Sequence, residues 1–271
     1  MTRLSFVCTT LLVLGFWLAL PVAARAQSDD AEALDLAQPD FTLVALPTSL
    51  RLPKYKGAFR VTHRFTRPLN DDFGDLAADL FGIDSGASIG LEYRFGIIPN
   101  GQIGLHRTSN RTVEFFAQYR VVAQSRSRVD VSAYGSVEGT NNFKDSYSPS
   151  VGAIVSRTIG DRAAVYVEPM WVNNTNPLPK EVVNHNSTFM VGIGARVRVR
   201  PTVYVVAEGA PRSGYRPGTT HASIGIEKRA GGHTFQLNFS NGFGTSMAQV
   251  GRGGPDGNDW FLGFNISRKF F

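Results

Sequence analysis

His221 and Ser223 are the pair best suited by type to covalent chemistry. A histidine beside a serine hydroxyl takes its proton and makes it a nucleophile. Glu227 shares their parity, so a strand carries all three on one face. A lipid hydrolase must present its nucleophile to lipid, whereas this polar face is expected to point inward. The triplet therefore reads as polar lining, and no catalytic residue is assigned. His63, His106, His185 and His233 have no common metal-ligand spacing, so no metal or other cofactor is expected. His63 and His106 approach each other only if the first strands curl together. Asp71, Asp72, Asp75, Asp79 and Asp84 form an acidic stretch without the ligand spacing of a calcium loop. It reads as a solvated loop, with Phe73 to Phe81 as a short amphipathic helix there or folded inward.

A larger set is defined by phase. Arg60, Arg64, Glu92, Arg94, Glu114, Arg120, Asp130, Glu138, Glu168, Arg196, Arg198, Glu208 and Glu227 occupy the polar positions of alternating segments. They are expected to face a lumen. One reading is a charged pore wall that selects ions or small solutes. The other is a network of paired charges that fills the barrel, and it is favoured because modest strand numbers leave little free space inside.

The elements that place these residues are strands. Ile89, Leu91, Tyr93, Phe95 and Ile97 alternate with Ser88, Gly90, Glu92, Arg94 and Gly96; Phe235, Leu237 and Phe239 alternate with Thr234, Gln236, Asn238 and Ser240. Strict period two means one apolar and one polar face. Twelve such segments are predicted, at 56–66, 86–97, 101–108, 111–122, 128–139, 149–158, 162–173, 187–200, 202–210, 219–229, 233–241 and 259–270. Most are nearer the roughly 9–11 residues of a tilted membrane strand than the roughly 5–6 of a soluble one. Turns such as Pro99-Asn100-Gly101, Gly160-Asp161, Arg200-Pro201 and Gly231-Gly232 lie at one rim. Longer connections, 67–85, 140–148, 174–186, 211–218 and 242–258, lie at the other, with Gly251 to Gly257 as a flexible outer loop. Tyr93, Phe95, Tyr119, Trp171, Phe189 and Trp260 fall near strand ends as an aromatic girdle. The expected fold is an all-β, closed antiparallel transmembrane barrel of about twelve strands with up-and-down topology.

The N-terminus predicts export. Arg3 precedes the apolar run Leu11 to Leu20, Pro21 breaks it, and Ala24-Arg25-Ala26 fits a signal peptidase site, so 1–26 is expected to be cleaved after Ala26. Cys8, the sole cysteine, goes with it, which excludes a disulfide framework. Of 28 basic residues only Arg3 and Arg25 leave, so 26 face 22 acidic ones without a basic block, and nucleic acid is not an expected partner. After Ala26 no apolar run reaches the length of a membrane helix. Residues 27–55 are expected to be a periplasmic segment or a small plug, with a short helix at 29–36 and a brief strand at 41–46; residues 56–271 form the barrel.

At the C-terminus Trp260, Leu262, Phe264, Ile266 and Phe270 share a face interrupted by Arg268, and Phe271 follows out of phase. This resembles the terminal signal read by the outer-membrane barrel assembly machinery. Further motifs are His63-Arg64-Phe65, Leu80-Phe81-Gly82-Ile83-Asp84-Ser85-Gly86-Ala87, Arg107-Thr108-Ser109-Asn110-Arg111, Gln118-Tyr119-Arg120, His233-Thr234-Phe235-Gln236-Leu237, Ser240-Asn241-Gly242 and Gly244-Thr245. Together they resemble an uncharacterised family of bacterial membrane-bound β-barrels, the DUF5777 type. The resemblance implies a barrel in the outer membrane of a Gram-negative cell and no particular substrate or catalytic residue. The expected function is a porin-like or transport-associated channel in contact with lipid and lipopolysaccharide, not an enzyme. The alternative is a non-conducting barrel for surface interaction or envelope structure, recognised through 174–186 and 242–258; a lipid hydrolase is a further alternative.

Overall fold

The computed structural model describes residues 35–70, 73–78, 80–83, 86–176, 186–216, 218–255 and 259–270. The leader, most of the 29–36 helix expectation, His185 and Phe271 lie outside them. The strands are β1 (Gly57–Pro68), β2 (Ala87–Ile98), β3 (Gly101–Thr108), β4 (Val113–Val122), β5 (Asp130–Gly139), β6 (Asp145–Ile159), β7 (Ala163–Asn173), β8 (Ser187–Arg200), β9 (Val203–Ala210), β10 (Arg212–Gly214), β11 (His221–Ala230), β12 (His233–Ser240) and β13 (Phe261–Phe270). Two short helices, α1 (Phe73–Ala78) and α2 (Met247–Arg252), lie in the connections after β1 and β12.

Twelve strands close into one antiparallel ring. Each pairs with its neighbour in the chain, β9 pairs with β8 and β11, and β1 pairs with β13 to shut the barrel. At that seam Val61 faces Ile266 and His63 faces Phe264. β10 stands outside the ring and extends β9 past Pro211 along the far end of β8, with Arg212 opposite Met190. Closure satisfies the backbone without an open edge, the condition for crossing lipid with strands.

The faces are inverted relative to a soluble barrel. Leu91, Tyr93, Phe115, Tyr119, Trp171, Phe189, Ile226, Leu237 and Phe270 are exposed on the outside, while Arg60, Glu92, Glu168, Arg196 and Glu227 are buried within. A continuous exposed apolar belt of this kind is stable where the outer solvent is lipid.

Several connections depart from expectation. The 140–148 loop contracts because β6 starts at Asp145, and Asn141, Asn142 and Phe143 take positive φ to turn the chain tightly. Residues 41–46 do not make a strand. They enter a hairpin in which Thr48 N–H donates to Phe41 O at 2.8 Å and Leu43 N–H to Leu46 O at 2.8 Å. Gly251 is not part of a flexible outer loop. It is buried at the end of α2, against Val172.

Candidate functional site

The inward phase of the strands builds a polar wall. Arg60 Nη2 lies 3.0 Å from Glu92 Oε2, and Arg94 Nε bonds the other oxygen of the same carboxylate. Arg196 and Glu227, both wholly buried, pair at 2.9 Å. Arg120 meets Asp130 at 2.9 Å, and Arg198 meets Asp161 in the β6–β7 turn at 2.7 Å. Glu114 and Glu138 turn toward α2, and Arg64 bonds Asn265 at 2.9 Å. Glu168 is buried, and its carboxylate oxygens have no hydrogen-bond partner among the described residues. A water-filled wall would leave these ions solvated. Here most are desolvated, and apart from Glu168 they are paired or hydrogen-bonded, because protein fills the space they face; the Arg120 and Arg198 pairs at the short-turn rim stay partly exposed.

The filling comes from both ends of the barrel. From the short-turn rim, residues 35–52 enter the lumen and double back. Asp35 accepts the N–H groups of Ala37 and Gln38 at 3.1 Å each, which starts the segment with a tight turn. Asp40 accepts from Ser267 Oγ at 2.8 Å, and the cations of Arg94 and Lys269 each lie over the Phe41 ring, at 5.5 and 5.6 Å from its centre. At the hairpin tip the N–H groups of Val44, Ala45 and Leu46 all donate to the Glu208 carboxylate, at 2.9, 2.9 and 3.1 Å. Charge-assisted bonds of this kind each contribute roughly 1.5–3 kcal/mol. The tip carbonyls are met as well. Leu43 O accepts from Gln236 at 2.8 Å, Val44 O from Asn265 at 3.0 Å, and Thr42 O from Arg196 at 2.6 Å. On the return, Thr48 O accepts from Gln118 at 2.9 Å and Ser49 Oγ lies 2.5 Å from Ser156 Oγ.

Two glycines of β8 let the hairpin approach. A Cβ at Gly194 would collide with Leu43 Cδ1, and one at Gly192 would lie 3.0 Å from Leu46 Cδ1. Inward glycines in a strand commonly mark such close approach. Leu43 and Leu46 are buried there, each burial contributing roughly 1.5–3 kcal/mol.

From the long-loop end, the connection after β12 folds inward. Ser246 caps α2 by accepting from Gln249 N–H at 3.3 Å and also bonds Glu138. Met247 N–H donates to Glu114 at 3.1 Å, and Arg252 reaches Thr175 O at 2.7 Å. Met247, Ala248 and Val250 join one apolar cluster with Leu43, Val44 and Leu46 of the hairpin and with Tyr166, Met170, Met190 and Val206 of the wall. A cavity of about 380 Å³ remains at the long-loop mouth, lined by Tyr215, Phe243, Gln249 and Arg252 among others.

Among the predicted lumen residues, Arg60, Arg64, Glu92, Arg94, Glu114, Glu168, Arg196, Glu208 and Glu227 are buried on the inner side, and Arg120 and Arg198 lie inward at the short-turn rim, partly exposed. They do not form a single charged cluster. Around Glu168, the inner face of β7 carries Ala164, Tyr166, Met170 and Val172, so most of that side of the lumen is apolar. The double-sided apolarity of β7 was visible in the sequence as a sign that its inner face packs on something. Gln102, Gln118, Gln236 and Asn265, which bond the hairpin's main chain, share the inward phase but carry no charge to mark them in the sequence as gripping residues.

His63 and His106 do not meet. His106 points inward, whereas His63 lies on the outer face and stacks on Phe264 at 4.8 Å. His221 Nε2 serves both Glu208 Oε1, at 2.8 Å, and Ser223 Oγ, at 3.2 Å. A relay needs the acid on the opposite ring nitrogen from the serine. Ser223 is buried and bonds Ser240 at 2.9 Å, on the side away from lipid. This geometry is a structural network. In the C-terminal strand Leu262, Phe264, Ile266 and Phe270 alternate with buried Gly263, Asn265 and Ser267, so they share the outer face. Trp260 lies just before the strand and is 37% exposed.

The fold resembles solved porins and channels. The KdgM porin aligns with a TM-score of 0.51 at 8% identity, covering 80% of this chain and 99% of that one. An outer membrane channel from Pseudomonas putida F1 aligns with a TM-score of 0.52 at 12% identity, covering 81% and 97%. At such identities the likeness is one of fold: a porin-like barrel. No curated protein matches the sequence. The membrane-bound β-barrel domain model DUF5777 matches residues 40–270, nearly all of the hairpin and barrel described above, and the chain belongs to that family.

Proposed function

We propose that the protein is an outer-membrane channel whose lumen is occluded by its own N-terminal hairpin. One observation carries this reading: residues 41–48 occupy the barrel interior, pinned at their tip by Glu208. A structural filler would be expected to join the barrel as apolar core throughout. This hairpin adds polar contacts along its main chain to its apolar tip, and its entry segment leads back out at the short-turn rim, where Arg51 bonds Asn100 at 3.1 Å. The porin-like fold supports a solute path, and the names of the similar structures agree with it. Withdrawal of the hairpin would expose Arg60, Arg64, Arg196, Glu92, Glu208 and Glu227 to water, and their mixed charge would then filter small ions or solutes. Export through a leader cut after Ala26, recognition of the C-terminal strand by the assembly machinery, and contact with lipopolysaccharide through the outer rim complete this reading. With the strand ends so oriented, the hairpin enters from the periplasm.

Planar-bilayer conductance tests it. The folded wild-type protein should be closed for most of the record. Protein cleaved at a protease site placed at 54–56, with the hairpin washed out, should conduct past α2 by way of the cavity at the long-loop mouth. A tight bilayer after verified hairpin release would refute the channel reading. The filled lumen favours one second reading, a non-conducting barrel for envelope structure. Its outward recognition would rest less on 242–258 than expected, since 247–251 are buried inside.

A further inference from the structure

We infer that the lumen is a peptide-binding site, occupied in this structure by the chain's own N-terminal segment. The inference rests on the channel reading for its physiological use and extends it to a class of solute. The argument lies in which atoms the wall recognises. Glu208 takes three consecutive backbone N–H groups. Gln236, Asn265, Arg196 and Gln118 donate to the carbonyls of Leu43, Val44, Thr42 and Thr48. Gln102 does both, accepting Leu52 N–H at 3.0 Å and donating to Leu50 O at 3.2 Å. These side chains come from strands around most of the barrel, and each addresses the main chain. Main-chain amides are common to every peptide, and their spacing is shared by no saccharide or simple ion. A wall that pairs donors with carbonyls and an acid with the N–H groups of a tight hairpin tip is complementary to polypeptide in a turn.

Side-chain selectivity comes from the two notches over Gly194 and Gly192. They accept Leu43 and Leu46, so the preferred ligand carries two aliphatic residues three apart at a turn. The segment's other side-chain bonds, such as Ser49 to Ser156 and Asp40 to Ser267, are made by small polar groups. The own segment therefore acts as a tethered occupant that a free peptide must displace. Its tether raises its effective concentration, which keeps the site filled when no peptide is present.

Exchange on the full-length folded protein tests this. Lys54, Tyr55 and Lys56 are exposed, so a protease site placed there cuts the tether outside the seat. A fluorescent synthetic peptide of residues 35–52 is then added in excess to the nicked protein in detergent. The labelled peptide should co-migrate with the barrel while the native segment is released. N-methylation at Val44, Ala45 and Leu46 should weaken binding about thirty-fold, because Glu208 loses its donors. N-methylation at Leu50, whose N–H bonds Thr48 within the segment, is the control and should cost less than three-fold. A peptide with Leu43→Ser and Leu46→Ser should bind about ten-fold more weakly. Failure of the labelled peptide to exchange would overturn the inference. So would indifference to N-methylation at the tip, or equal displacement by a neutral oligosaccharide at the same concentration. Exchange is read without current, so a tight bilayer would count against the channel and leave peptide binding standing.

Discussion

Ser49 of the hairpin and Ser156 of β6 bring their hydroxyl oxygens within 2.5 Å of each other inside the barrel. Hydroxyl oxygens this close hold the two β-carbons within about 5 Å of each other, which brings a disulfide within reach. The sole native cysteine, Cys8, lies in the predicted leader. The double variant Ser49→Cys, Ser156→Cys should therefore cross-link without competition in the processed protein. Under oxidising conditions it should stay non-conducting even after a cut at 54–56, and a reductant should restore the current. Gel mobility with and without reductant checks that the bond forms.

Gly194 and Leu43 offer a steric test that leaves every charge in place. Gly194→Val places methyl groups where Leu43 Cδ1 sits. The hairpin should lose about 1–3 kcal/mol of docking energy through overpacking. The second substitution Leu43→Ala should recover part of it, because it vacates the same space. Protease sensitivity at 54–56 in the two single variants and the double variant reads the coupling. Additive effects would mean that the notch does not seat the leucine.

Arg196 and Glu227 are both fully buried, at 2.9 Å. Arg196→Met alone leaves an uncompensated carboxylate and should cost about 3–5 kcal/mol. With Glu227→Leu added, the barrel should regain most of that, since the burial cost of both ions disappears. The hairpin should remain loosened in the double variant, because Thr42 O still lacks its donor, whereas Asp40 O keeps the Thr48 hydroxyl. Denaturant unfolding of the barrel and proteolysis of the hairpin separate these two effects.

Leu237 on β12 is half exposed on the outer face, with Ile226 and Phe264 as its cross-strand neighbours. Leu237→Arg should destabilise the protein in lipid vesicles by roughly 2–4 kcal/mol if the residue sits near the bilayer midplane. Folding into vesicles, followed by heat-modifiable migration, measures this. An unchanged stability would place that part of the strand outside the hydrocarbon.

Much of the architecture was legible in period two. Leu237 and Asn238 differ by one position and face opposite solvents, and the sequence records that directly in their side chains. The strand segments and the inward phase of Arg60 through Glu227 follow from the same rule, because alternation is local and needs no partner to be read; closure into a ring rests instead on strand length, on short turns at one rim and on the aromatic C-terminal strand. The short β5–β6 turn escaped it because Asn141, Asn142 and Phe143 adopt left-handed angles that a run of polar residues does not reveal.

The sequence leaves residues 27–55 open between a periplasmic segment and a small plug, and the contacts that hold 35–52 in the lumen belong to the tertiary structure. Glu208 and Val44 are 164 residues apart. What joins them is a carboxylate and a backbone N–H, and every non-proline residue carries that N–H. A contact to main chain leaves no trace in the identity of the residue contacted, so Val44, Ala45 and Leu46 read as an ordinary apolar run. Only closure of the ring brought β1, β9 and β13 around one point and decided that the charges on them would grip a hairpin instead of lining open water.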